Sequence, residues 1–228
     1  LRSYYVLALP SRVWKGSGVK IVLYGASGMI GSRILAEALA RNHNVVAVVR
    51  DPDKIAPHQH VAVIRGDATD AASVAATAAG ADLAISAYSP GSENALLSKN
   101  AHALLDGLAQ AGVPRVIVVG GAGSLELAPG KLVVDAPGFP DIYRARATEQ
   151  AKALDILRAS RGAVTWTFLS PPAEIAPGPR TGAFRVGKDQ LLVAADGKSH
   201  ISAEDYAIAL LDEAESAQHP NERFTVGY

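Results

Sequence analysis

Short runs of consecutive apolar residues alternate along this chain with longer stretches in which apolar residues recur every three or four positions. Ile21 to Tyr24, Val45 to Val49, Val61 to Ile64, Leu83 to Ala87, Arg115 to Val119 and Val164 to Leu169 are too short for helices. They read as strands, and their near-continuous apolar character suits a sheet covered on both faces. Met29 to Arg41, Ala71 to Ala79, Glu93 to Ala111 and Ile142 to Ser160 carry the helical period. Asp70 is placed to cap the second of these helices and Gly112 to close the third. Strand and helix in alternation predict an α/β fold, a doubly wound parallel sheet of the mononucleotide-binding kind.

The pattern weakens in two places. Leu127 to Pro140 reads as a Pro/Gly-rich loop, and Ala173 to Gly182 cannot be a helix or a central strand because it holds Pro177 and Pro179. Phe184 to Val186 and Gln190 to Val193 read as a small hairpin over Gly187-Lys188-Asp189. Ser202-Ala203-Glu204-Asp205 has the form of a capping box opening a helix to Ser216, with a last short strand at Arg223 to Val226. Residues 19–228 are expected to form one domain with a small C-terminal substrate lobe. Residues 1–18 sit awkwardly before it, as an appendage outside the native fold or as an arm anchored by Tyr4, Tyr5 and Trp14.

Composition narrows the classes. The 228 residues hold 22 basic and 22 acidic side chains and no cysteine. A neutral balance gives no electrostatic reason to expect nucleic acid or an anionic membrane as partner. The absence of cysteine excludes disulfides, thiolate metal ligands and thiol nucleophiles. No stretch reaches transmembrane length, and a cytoplasmic monomer or homodimer is expected.

Candidate chemistry begins at the first turn. Gly25, Gly28 and Gly31 are spaced G-x-x-G-x-x-G between the first strand and the first helix. Gly25 permits the tight turn, Gly28 lets a pyrophosphate approach the backbone, and Gly31 lets helix lie close on strand. The helix N-terminus, with Ser27, Met29 and Ile30 around it, offers free N–H groups to phosphates. The second strand ends in Arg50, then Asp51. Arginine there suits the 2′-phosphate of NADPH through charge-assisted hydrogen bonds. Asp51 leaves NADH open, since it could take the ribose hydroxyl or pair with Arg50. Asp67, past the third strand and followed by Ala68, could accept from an adenine amino group or bond its own turn. Ser86, Ala87 and Tyr88 after the fourth strand, Gly120 and Gly121 after the fifth, and Pro171 after the sixth should line the cofactor cleft, because ligands lie at the carboxyl ends of such strands.

G-A-S-G-M-I-G, the R-G-D after the third strand, GGAGSL after the fifth, WTFLSPP, PGPRTG, ISAEDYA and the terminal FTVGY together resemble the atypical short-chain dehydrogenase/reductases. The resemblance is strongest to the group proposed as NADH-flavin reductases, akin to NmrA-like proteins and to biliverdin IXβ/flavin reductases, and it spans Val19 to Tyr228. It implies a Rossmann fold, a bound NAD(P)(H) and, in some relatives, reduction of flavins, quinones or biliverdin. FMN or another flavin is then a candidate small-molecule acceptor, and a silent NADP(H)-binding regulator is the alternative.

The short-chain dehydrogenases use Tyr-x-x-x-Lys, and this chain departs from it. Four residues after Tyr143 stands Ala147, while Lys152 is nine on, half a turn out of phase. Arg146 is close but stays charged and relays protons poorly. Carbonyl chemistry by that dyad is therefore not expected, whereas flavin reduction needs binding and orientation more than an acid/base pair. Ser124 occupies the place of the family's substrate-orienting serine, with a turn serine bonding the backbone as the alternative, so Ser124 and Tyr143 are the catalytic candidates. Tyr88, Phe139, Tyr143 and Arg180 are the candidates for contact with substrate; for Arg180 a surface ion pair is the alternative. His58 and His60 lack an acid or third histidine beside them, so no metal site is expected.

Overall fold

The computed structural model describes residues 18–228, so residues 1–17 of the expected appendage lie outside the described residues. Strands β1 (Lys20–Tyr24), β2 (Asn44–Val49), β3 (Val61–Arg65), β4 (Leu83–Ser86) and β5 (Arg115–Val119) alternate with helices α1 (Met29–Ala40), α2 (Ala71–Ala78) and α3 (Leu96–Ala111). A short hairpin follows, β6 (Glu126–Ala128) and β7 (Lys131–Leu132), then helix α4 (Asp141–Ala159) and strand β8 (Thr165–Ser170). The remainder holds β9 (Glu174–Ala176), β10 (Arg185–Gly187), β11 (His200–Ser202), α5 (Ala203–Ser216) and β12 (Glu222–Gly227).

The main sheet has the order β10-β12-β8-β5-β4-β1-β2-β3. All its pairs are parallel except β10 with β12. This is the Rossmann-type architecture expected from the alternation of elements. Successive side chains of β1 serve opposite faces: Ile21 and Leu23 join the core under α1 and α5, and Val22 and Tyr24 the core under α2, α3 and α4. Each fully buried aliphatic side chain contributes roughly 1.5–3 kcal/mol, which is why short apolar runs suffice to specify the strands. The chain reverses its winding between β1 and β4, the strands on which a ligand crevice is expected.

Helix α1 is fastened along its length to α5. Glu37 is buried and accepts from Arg41 at 2.9 Å. Arg41 also reaches Glu215 (2.9 Å), Asp212 (2.8 Å) and the Ile208 carbonyl (3.3 Å), all on α5. His43, just past α1, meets the same Glu215 at 3.0 Å. In the same last turns of α5, Glu213 is buried and gathers Arg115 (2.6 Å), Thr167 (3.2 Å) and His219 (2.8 Å).

Three expectations need correction. Phe184–Val186 and Gln190–Val193 do not pair with each other. Arg185–Gly187 instead adds to β12, and Gln190 bridges Glu126. An isolated two-stranded hairpin is marginal, whereas the open edge of β12 offers a ready ladder. The Leu127–Pro140 loop contains the β6–β7 hairpin and a 3-10 turn at Val133–Asp135. The capping box is only half formed. Ser202 accepts from the Asp205 N–H at 3.0 Å, but the Asp205 carboxylate turns away from the helix start. It accepts from the Thr181 and Gly182 N–H groups (2.7 and 2.8 Å) and from the Tyr228 hydroxyl (2.7 Å), fixing the PGPRTG segment to α5.

Candidate functional site

The turn from β1 to α1 is built by contact between backbones. Gly25 has φ +80°, and a Cβ on it would lie 2.4 Å from the Ala87 carbonyl oxygen at the end of β4. A Cβ on Gly31 would lie 2.0 Å from the Gly25 carbonyl oxygen. The two glycines therefore set how closely α1 and β4 approach the turn. Gly28 is exposed, and a Cβ there would be 3.3 Å from Gly25, tight but on the open side of the turn. Gly28 is the N-cap of α1; no side chain caps this end and no acid stands in its first turn. Ser27, Gly28 and Met29 are exposed around it and Ile30 is half-buried. An uncapped helix start with a solvent-open glycine backbone can hold a phosphate or diphosphate.

The neighbouring strand ends complete the cleft. Arg50 is exposed beyond β2. Asp51 does not pair with it: its carboxylate accepts from the Asp53 N–H at 3.3 Å and caps a short 3-10 turn. Asp67 accepts from the Thr69 N–H (2.8 Å) and hydroxyl (2.7 Å), so one carboxylate oxygen serves its own turn, the alternative weighed for it above. Tyr88 is half-buried, and its hydroxyl is held above its ordinary range by burial and by the nearby Asp67 carboxylate, with Arg50 opposing. Arg50, Asp67 and Tyr88 thus share one end of the cleft.

Ser86 is fully buried, and its hydroxyl donates to Asn100 Oδ1 at 3.2 Å. The Asn100 amide donates to the Ala68 carbonyl at 2.6 Å. This buried chain ties the end of β4 to the segment beyond β3, and the pattern reading missed it. The available signal was a lone amide on the apolar face of α3, among Leu97, Ala101 and Leu104.

At the other end of the cleft, α4 packs against the turn after β5. Gly121 abuts Gln150, and a Cβ on Gly123 would lie 2.6 Å from the Ala147 methyl. Gly120 lies against the Phe168 ring, a Cβ there coming within 2.2 Å of it. Pro171 is buried just past β8. Ser124 is buried rather than presented: Arg223 donates to its carbonyl (3.0 Å) and to its hydroxyl (3.4 Å), while the same guanidinium donates through Nε to Asp189 at 2.9 Å.

Tyr143 is 58% exposed in the first turn of α4, and its hydroxyl has no hydrogen-bond partner among the described residues. Lys152 is turned away from it, paired with Glu149 at 2.6 Å. Arg146 spans the cleft rim to the Ser89 hydroxyl at 3.1 Å. Phe139 is fixed from below by Arg144, which donates to its carbonyl (3.2 Å) and lies 5.4 Å from its ring centroid. The Arg146 bond thus brings α4, which carries Tyr143, against the loop after β4.

Arg180 is committed to α1 instead. Its guanidinium grips Glu37 through two bonds of 2.9 Å, the ion-pair alternative weighed for it. Hydrogen bonds from Arg180 hold the Glu37 carboxyl below its ordinary range; burial opposes, and Arg41 adds to the lowering. Among the described residues no cluster of three or more potential metal ligands occurs, and no helix is long and apolar enough to cross a membrane.

Residues 25–217 match the NAD(P)H-binding family. The chain is 49% identical to a protein of Burkholderia pseudomallei described as exported, over 92% of this chain and 100% of that one, with a TM-score of 0.84. It is 42% identical to a proposed epimerase of Bacteroides thetaiotaomicron, over 92% of this chain and 97% of that one, with a TM-score of 0.87. It is 32% identical to a proposed NADH-flavin reductase of Streptococcus pneumoniae, over 92% of this chain and 99% of that one, with a TM-score of 0.82.

Proposed function

From the premise that this chain belongs to the NAD(P)H-binding family, we propose that it is an oxidoreductase that passes electrons from NADPH to a flavin or quinone. The observation that carries this reading is the pairing of an uncapped, solvent-open start of α1 with the lack, among the described residues, of a Tyr–Lys proton-transfer dyad. The helix position that would hold a lysine is Ala147, packed against Gly123, and Lys152 is engaged with Glu149. An epimerase or carbonyl reductase needs a group that moves a proton to or from carbon-bound oxygen. A flavin or quinone acceptor asks chiefly for orientation.

In this reading the bound dinucleotide supplies the hydride. The chain's residues do the rest. The N–H groups at the start of α1 and the open backbone at Gly28 hold the diphosphate. Arg50 donates to the 2′-phosphate, with Asp51 withdrawn into its own turn. Tyr88 and Asp67 border the adenosine end. Gly120, Gly121 and Pro171 wall the reactive end, and Phe139 and Tyr143 offer aromatic faces on which a planar acceptor stacks.

The test is NADPH oxidation by the purified protein with FMN, riboflavin and a simple quinone supplied in turn, and NADH run alongside. Saturable turnover, faster with NADPH, is expected. Protein that binds NADPH but turns over none of the three would overturn the reductase reading in favour of a silent NADP(H)-binding regulator.

A further inference from the structure

The carboxyl ends of β2 and β3 carry two arginines, and the proposed function uses only one. The strands run parallel with Val49 beside Arg65. The Gly66 N–H continues the ladder to the Val49 carbonyl at 3.2 Å, so the two strand ends stay in register past the sheet. Arg50 follows Val49 and so stands opposite Gly66, which puts the two arginine side chains on opposite faces of the ladder; a side-chain bond brings Arg65 back toward Arg50. Arg65 is exposed, and its Nε donates to the Arg50 carbonyl oxygen at 3.0 Å. That bond draws the second guanidinium over the backbone of the first residue. It leaves the Nη groups of Arg65, and the whole guanidinium of Arg50, without a hydrogen bond or ion pair among the described residues.

Two adjacent cations repel unless an anion lies between them. The nearby acids do not serve. Asp51 accepts from the Asp53 N–H and faces Lys54 at 3.9 Å, and Asp67 accepts twice from Thr69. What remains is two forks of donors, joined through the bond from Arg65 to the Arg50 backbone, with Arg50 and Asp67 both acting on Tyr88. Such forks match the oxygens of a phosphomonoester dianion.

Resting on the NADPH reading above, we infer that Arg65 is the second arm of the 2′-phosphate site and fixes the choice of NADPH over NADH jointly with Arg50. Its Nε holds the side chain in place, and its Nη groups face the phosphate. A purely structural Arg65 would brace the Arg50 backbone and affect both nucleotides alike.

The experiment is calorimetric titration of the full chain, wild type, Arg65→Ala and Arg65→Lys, with NADPH, NADH and 2′,5′-ADP. Arg65→Ala is expected to weaken NADPH and 2′,5′-ADP about tenfold or more, the scale of a charge-assisted hydrogen bond, while NADH is unchanged. Arg65→Lys should retain part of the preference through its charge. Equal loss for NADPH and NADH, or no loss for either, would overturn the inference with the functional reading intact. A wild-type chain that binds neither nucleotide would defeat the functional reading itself, and wild type that binds both equally would defeat the proposed 2′-phosphate site.

Discussion

The methyl group of Ala147 lies directly beneath Gly123, so close that a Cβ on the glycine would stand 2.6 Å from it. Four residues earlier in α4, Tyr143 projects into solvent with its hydroxyl unpartnered among the described residues. The helix can pack on the turn after β5 only because the fourth position is small. Tyr143→Phe is therefore expected to leave flavin or quinone turnover unchanged, since a general acid would show a loss of roughly 10²–10⁴-fold. Ala147→Lys should not create carbonyl reductase activity and should destabilise by about 1–3 kcal/mol through overpacking. Steady-state rates and thermal melts read both outcomes.

The glycines of the first turn separate folding from binding. Gly31→Ala places a carbon 2.0 Å from the Gly25 carbonyl and must displace α1. It should cost about 1–3 kcal/mol or more and abolish nucleotide binding. Gly28→Ala meets only a 3.3 Å contact. It should melt close to wild type yet bind NADPH more weakly, because its methyl occupies the approach of the diphosphate. A Gly28→Ala protein with unaltered affinity would place the phosphates elsewhere.

Glu213 is a buried carboxylate that satisfies Arg115, Thr167, His219 and the Gln218 N–H at once. Glu213→Ala leaves Arg115 as a cation without its carboxylate partner, a change of about 3–5 kcal/mol in other buried pairs. Urea unfolding should show the loss, with nucleotide affinity per folded molecule preserved because the cluster is remote from the glycine turn.

Asp205 predicts an acid-sensitive contact. Burial alone would raise its carboxyl, but hydrogen bonds from Thr181, Gly182 and Tyr228 outweigh it and hold the group below the ordinary aspartate value of 3.8. The stability this contributes is present above that ordinary value and is lost as pH falls through the lower, folded one. Asp205→Asn should melt below wild type at neutral pH, and the gap should close on acidification below pH 3.8. A gap independent of pH would remove the carboxylate charge from the account.

Arg180→Ala should leave the acceptor KM unchanged, because Arg180 is committed to Glu37 on α1. It should lower the melting temperature modestly, since Glu37 keeps Arg41 as partner. A raised KM for an anionic acceptor would return Arg180 to the site.

The sheet and its helices were legible because short apolar runs and a helical period are local signals, and residues 20–119 fall almost where those signals put them. The glycine turn was legible for the same reason. What local pattern could not reveal were polar partnerships across distance. Asp205 finds Thr181 and Tyr228, and Asn100 finds Ala68 and Ser86, through folding that the spacing of apolar residues does not encode. The edge strand Arg185–Gly187 was assigned the nearest partner in sequence, whereas β12 is nearest in space. Ser124 and Arg180 belong to the same class: each is held by a residue far along the chain, Arg223 and Glu37, and for Arg180 local pattern allowed an ion pair but not its partner.

The clamp between α1 and α5 has a thermodynamic meaning for the opposite end of α1. Arg41, braced by Glu37, ties the helix to Asp212 and Glu215 of α5, so the N-terminal N–H groups of α1 are already ordered where a diphosphate would sit. The conformational entropy of arranging those donors is spent during folding and is not charged again at each encounter with nucleotide. Loosening the clamp, far from any phosphate, would therefore weaken binding through order rather than through contact.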